Sequence, residues 1–243
     1  PAKDGKALKS LVWKKSLFKR DGSLATNFSH WHKAYPKPNT VNTSWIAIKN
    51  NHQMIITPCA LPEVLMIQPK KLEDERGWFM ESFRKDLLED AVGHALDFCQ
   101  DNLAQSSYGV IRGLHYQMPP FAQSKLVSVT QGNVLDVVVD IRKGSPHFGK
   151  HMAVELSSEN QKQVFIPRGF AHGYACLSET ALLAYKVDSH YNKAAEASIA
   201  FDDPQLNIDW QIPVEKQILS SKDCEHPAFE AALCFEDNTA LYD

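Results

Sequence analysis

Lys125-Leu-Val-Ser-Val-Thr-Gln-Gly-Asn-Val-Leu-Asp-Val-Val-Val-Asp-Ile141 is the stretch that decides the fold class. Lys125, Val127 and Val129 recur with a period of two, and Gly132 then breaks the run. After it, Leu135, Val137, Val139 and Ile141 fall on one face. Asp136 and Asp140 fall on the other, shared with Val134 and Val138. A two-residue period rich in β-branched side chains is the signature of strands, and Gly marks the turn between them. The spacing predicts two strands meeting at a turn, the second with apolar residues on both faces.

The same pattern spreads outward. Val64–Pro69, Trp78–Phe83, Gln163–Pro167 and Leu182–Val187 read as further strands, with a turn at Asp74–Gly77. Arg84–Val92, closed by Gly93, is the one convincing helix. Short strands separated by Gly or Pro indicate an all-β sandwich or barrel with a few short helices, not a βαβ fold. There is no internal repeat and no low-complexity tract.

Composition sets the outer limits. The chain has 243 residues, 44% hydrophobic and 23% charged, ordinary values for a soluble globular protein. No apolar run is long enough to cross a bilayer, and the opening Pro1-Ala2-Lys3-Asp4 shows no secretory signal. The five cysteines are odd in number and form no CxxC pair. A disulfide framework or zinc site is therefore not expected, and a reducing cytoplasm is. The net charge of −3 hides a division. Residues 1–53 carry ten Lys and Arg against two Asp, whereas the rest carry 16 basic and 27 acidic residues. The basic segment reads either as a tail for nucleic acid or an acidic membrane, or as a flexible extension preceding a domain at 54–243. No motif accompanies the charge, so the second reading is taken, with no nucleic acid and no membrane as partner.

Several chemistries are set aside. No GxGxxG follows a strand, and there is no Walker loop and no GxSxG elbow. Pro167-Arg-Gly-Phe-Ala-His172 resembles the second metal motif of the cupins, but the place of the first, an HxH pair, reads His115-Tyr116-Gln117. Two imidazoles on one strand face can clasp an ion where one cannot, so no metal is expected.

What remains is a set of ionisable residues on apolar strands. Val110-Ile-Arg112-Gly113-Leu-His115 puts a cation and an imidazole on opposite faces of a flat strand, unless Gly113 bends it. Lys125, His172 and Tyr185 each share a face with apolar neighbours. Singly, each has a plain reading: a lysine at a strand end, a hydrogen-bonded histidine, a core tyrosine. Together they supply a base, an electrostatic clamp and a phenolic acid, which suits proton abstraction beside a carbonyl.

Residues 54–243 closely resemble the dTDP-4-dehydrorhamnose 3,5-epimerase family, cupin-type jelly-roll barrels. The resemblance runs through Asp74–Phe83, Gln100-Asp101-Asn102, Val110–Gln117, Pro119-Pro120, Gln123–Val127, Val138–Arg142, Pro167–Gly173 and Ser220–Asp223. It implies His115 as general base, Asp223 as its orienting carboxylate and Tyr185 as the acid on the opposite face of the sugar. Lys125 and His172 would stabilise the enolate oxygen, and Arg112 an anionic part of the substrate. Arg76, Glu81, Gln100, Asp101, Asn102, Glu196 and Lys222 match positions that hold nucleotide, diphosphate or sugar. Arg76 and Glu81 look like contributions from a second subunit, because the family is dimeric with an exchanged N-terminal strand. Leu103 departs from the polar residue many members carry there.

The implied reaction follows from acidity. The C4 ketone of a dTDP-4-keto-6-deoxyhexose makes the hydrogens at C3 and C5 removable, and protonation from the other face inverts each centre. No cofactor is required. The alternatives are a single-centre epimerase or ketoisomerase, a binding protein that has lost catalysis, and a metal-dependent cupin oxygenase or isomerase.

Overall fold

A computed structural model describes residues 54–237 and 240–242; the extension read at residues 1–53 lies outside them. In chain order the elements are β1 (Met54–Pro58), β2 (Leu65–Pro69), β3 (Leu72–Asp74), β4 (Gly77–Phe79), α1 (Lys85–Val92), β5 (Gln100–Ser107) and β6 (Ile111–Gln117). Then come β7 (Lys125–Gln131), β8 (Asn133–Asp140), β9 (His151–Ser157), β10 (Gln163–Ile166), β11 (Phe170–Cys176), β12 (Thr180–Val187) and β13 (Glu196–Ser198). The remaining helices are single 3-10 turns.

The stretch 125–141 does form two strands, but they part company. β7 belongs to a six-stranded sheet of order β1-β2-β10-β7-β12-β5, and β8 to a five-stranded sheet of order β13-β6-β11-β8-β9. Gly132 makes the corner at φ +74, and a Cβ there would meet the Thr180 carbonyl oxygen at 2.1 Å, a contact that no side chain can make. Ladders within both sheets are antiparallel. The all-β, cupin-like architecture expected from sequence is therefore what the chain adopts.

Three apolar layers follow from strand alternation. Val127 and Val129 of β7 meet Val134 and Val138 of β8 between the sheets, with Val164, Phe170 and Leu183. The other face of β8, Leu135, Val137 and Val139, is covered by the C-terminal segment through Trp210, Phe229 and Phe235. The outer face of the six-stranded sheet, Ile67, Leu126 and Phe165, is covered by Leu88 of α1 and by Leu96. This is why 125–141 is apolar on both faces: each sheet is covered on both sides over much of its area. Each fully buried Val, Leu or Phe contributes about 1.5–3 kcal/mol.

One expected strand is cut short. Of Trp78–Phe83 only the first two residues are paired, in the two-stranded sheet β3-β4. Trp78 is 52% and Phe79 62% exposed. A strand needs a partner for its backbone groups, and among the described residues only Leu72–Asp74 provides one.

Candidate active site

The site is built on one irregularity in β6. Arg112 pairs with Tyr174 and His115 with His172, so three residues of β6 span the distance of two residues of β11. The extra residue resets the alternation, and Arg112 and His115 turn to the same side. Gly113 sits in this bulge at φ +130, and a Cβ there would lie 2.6 Å from the Gly173 Cα. Only glycine lets the two strands approach so closely.

Both side chains therefore line a cavity of about 410 Å³ between the sheets. Gln100 and Asn102 of β5, Lys125 of β7, His172 of β11, Tyr185 of β12 and Glu196 of β13 line it too. Its size is that of a small-molecule pocket. Thus eight of the sequence-predicted residues meet in one place, from six strands and both sheets.

His115 Nε2 lies 2.9 Å from Asp223 Oδ1, which arrives on a 3-10 turn far along the chain. The contact is close, but its geometry is not that of an in-line hydrogen bond. The Ser220 hydroxyl donates to Asp223 Oδ2 at 2.6 Å, and the Asp223 N–H donates back to Ser220 at 3.1 Å. Burial pushes the Asp223 carboxyl up, but the contacts from His115 and Ser220 outweigh it and hold the group well below the usual carboxylate range.

A second histidine–aspartate pair stands deeper. His172 Nε2 lies 2.8 Å from Asp136 Oδ2, both side chains being almost wholly buried. Burial lowers the His172 pKa against the pull of Asp136. Lys125 Nζ donates to the His115 carbonyl oxygen at 3.3 Å. Its pKa falls to about 8 because burial disfavours the cation more than Asp136 and Glu196 favour it. Tyr185 is pushed up by burial and by Tyr174, with Arg112 pulling the other way. It faces the cavity from the six-stranded sheet, His115 from the five-stranded one.

The rim is polar. Glu196 pairs with Lys222 at 2.6 Å and accepts from the Tyr191 hydroxyl at 2.9 Å. Gln100 donates to Asn102 at 2.8 Å and accepts from the Tyr191 N–H at 3.0 Å. Arg112 donates to the Ser106 hydroxyl at 3.2 Å.

Other expected residues sit elsewhere. Asp101 and Leu103 alternate out of the cavity; Asp101 pairs with Lys186, and Leu103 is 72% exposed. Arg76 pairs with Asp74 beside the β3–β4 turn, and Glu81 with Arg84. None of these lines the cavity of this chain. Sequence reading missed two residues that matter. Asp136 was visible as a carboxylate in a strand apolar on both faces, which demands a partner. His226 gave no signal: its place beside His115 is made by the fold, with ring centroids 5.0 Å apart.

A family model described as dTDP-4-dehydrorhamnose 3,5-epimerase matches residues 58–231. A protein of that name from Shigella flexneri is 48% identical over 176 residues, 72% of this chain and 96% of its own length. The crystal structure of dTDP-4-dehydrorhamnose 3,5-epimerase from Elizabethkingia anophelis NUHP1 is similar with a TM-score of 0.71 at 49% identity, covering 74% of this chain and 98% of that one. The dTDP-6-deoxy-D-glucose-3,5-epimerase from Legionella pneumophila Philadelphia 1, solved in complex with dTDP-4-keto-L-rhamnose, is similar with a TM-score of 0.70 at 47% identity, covering 73% and 94%.

Proposed function

The chain belongs to the dTDP-4-dehydrorhamnose 3,5-epimerase family, and from that premise we propose how its cavity performs the reaction. It is an isomerase of dTDP-rhamnose biosynthesis, converting dTDP-4-dehydro-6-deoxy-D-glucose to dTDP-4-dehydro-L-rhamnose. The observation that carries the mechanism is the placing of His115 with Asp223 on one wall and Tyr185 on the other.

His115 takes the proton from the carbon beside the C4 ketone. Asp223, held ionised, stabilises the imidazolium that forms. Negative charge grows on the C4 oxygen, and an enolate in water is too costly to form at a useful rate. Lys125, a cation at neutral pH within a mostly buried site, offsets that charge, with His172 beside it. Tyr185 returns a proton from the opposite face, and the centre inverts. Arg112, Gln100, Asn102, Glu196 and Lys222 hold the rest of the nucleotide sugar by charge and hydrogen bonds.

The chain acts as a homodimer in this reading. Two-stranded β3-β4 carries Trp78 and Phe79 into solvent, and an isolated hairpin is marginal in water. Docked on a second copy it would bury that surface and bring Arg76 and Glu81 to the neighbour's cavity.

The test is incubation with dTDP-4-keto-6-deoxyglucose in deuterated water. Deuterium is expected at both C3 and C5 of the inverted product. Incorporation at one carbon would leave a single-centre epimerase instead, and none at either would remove the proton-abstraction mechanism.

A further inference from the structure

Beside His115 stands a second imidazole that none of these roles uses. The His226 side chain is 4% exposed, and neither of its ring nitrogens makes an in-line hydrogen bond, the Gly113 backbone being the nearest candidate. Burying both without one is costly, and such a group calls for an explanation. Its Nε2 lies 3.8 Å from Asp223 Oδ1, the same oxygen that lies 2.9 Å from His115 Nε2. Neither that oxygen nor His115 Nε2 is satisfied by an in-line hydrogen bond.

One donor atom from each of His115, Asp223 and His226 lies within 4.8 Å of the others, the one such cluster among the described residues. Donors that share a tetrahedral ion at ~2.0–2.1 Å stand roughly 3.3–3.5 Å apart, so small adjustments would close the set on an ion. Two imidazoles and a carboxylate select zinc and its first-row neighbours over magnesium or calcium.

We propose that His115, Asp223 and His226 form a binding site for zinc, or a similar divalent transition metal, that inhibits the enzyme. The ion takes the lone pair of His115 Nε2, the buried nitrogen that faces Asp223. The ring's one proton then stays on Nδ1, and no nitrogen is left to accept the substrate's proton. Metal here is an inhibitor, not a cofactor, and three protein ligands leave a further position for water. The binding rests on geometry alone; the inhibition rests also on the reading of His115 as base.

The test takes the full chain after chelation and titrates it with zinc chloride, following heat of binding and epimerisation rate together. One ion per chain is expected, activity falls as the site fills, and EDTA restores it. His226→Gln keeps its activity without zinc. Outer-shell changes typically cost ~10–100-fold in metal affinity, and loss of an inner ligand should raise the half-inhibiting zinc concentration at least as much. Equal inhibition of wild type and variant would overturn the site, because both retain Cys224 and the other thiols. Absence of binding up to about 1 mM would overturn it too. Should the variant fail to fold, cobalt(II) absorption of the wild type decides: bands of a nitrogen–oxygen set support the site, and a sulfur charge-transfer band overturns it. Zinc bound in this cluster with undiminished turnover would instead overturn the inhibition, and with it the role of His115.

Discussion

Two histidine–aspartate pairs share one cavity, at nearly equal distances, and their surroundings make them different devices. His115 and Asp223 meet at 2.9 Å, with the histidine side chain 32% exposed. His172 and Asp136 meet at 2.8 Å, with the histidine 8% exposed and the aspartate fully buried. The first pair joins a bulged strand to a turn of the C-terminal segment. The second lies within the regular ladder of β11 on β8. A base must reach substrate and accept a proton, so it sits where the sheet is interrupted. A pair enclosed by strands holds its shape and lends a fixed field. The lesson is that partner identity and distance do not define a dyad; access does.

The largest effect should come from breaking the exposed pair. On the proposed roles, His115→Ala loses both solvent exchange and inversion, because no enolate forms. General bases contribute ~10²–10⁴-fold, and a loss of that order in deuterium uptake is expected. Asp223→Asn should fall between this variant and wild type, since the base survives without its orienting charge. If His115→Ala exchanged at the wild-type rate, the buried pair or another group would have to be the base.

Tyr185→Phe sharpens the contrast between the two walls. The ring keeps its packing and loses only its hydroxyl. Inversion should slow far more than exchange, because the enolate can still recapture a proton from the His115 side. Product stereochemistry beside deuterium content measures the split. Unchanged inversion would move the acid to another donor on the cavity wall, such as Tyr191.

Asp136→Ala tests the buried pair from its structural side. The substitution leaves the His172 N–H without its acceptor inside the barrel, a loss of about 1–3 kcal/mol in stability. Denaturant unfolding should register this as a lower midpoint. Equal midpoints for Asp136→Ala and wild type would show that the buried pair has no structural role.

How much of this was legible in the chain depends on distance along it. The alternation in 125–141 gave the strand faces there and set Lys125 beside Val127 and Val129; the alternation of their own segments did the same for His172 and Tyr185. Gly113 marked the bulge because a glycine in a strand needs a backbone reason. Alternation alone also separates Asp101 from Gln100 and Asn102; reading the three as a run through family likeness obscured it. The joining of His115 to Asp223, 108 positions on, has no local signature and came only from that likeness. His172 with Asp136 and His115 with His226 depend on register between segments, which no periodicity encodes. Trp78–Phe83 has strand composition, but composition supplies no partner strand.

The smallest effect concerns Lys125, which stands between the two pairs and whose charge the proposed mechanism uses. Its pKa of about 8 lies below the ordinary 10.5, burial being the main cause. As pH rises through about 8 the cation is lost, and with it the field on the developing enolate. The rate should therefore fall on the alkaline side with an apparent pKa near that value. Stability runs the other way. Between about 8 and 10.5 the unfolded chain binds a proton at this lysine that the folded chain has released, so folding gains as pH rises through that window. Lys125→Met should have a lower rate throughout, no alkaline limb near 8 and no such gain. The sign of the stability change is what distinguishes a buried cation from one held by ion pairing, for which a raised pKa would make stability fall with pH instead. Unfolding midpoints of wild type and Lys125→Met at pH 7.5 and 9.5 decide it: the wild-type midpoint should rise relative to that of the variant, and a difference that stays constant or moves against wild type with rising pH would mean that Lys125 is not desolvated, and the field assigned to it would belong to another group.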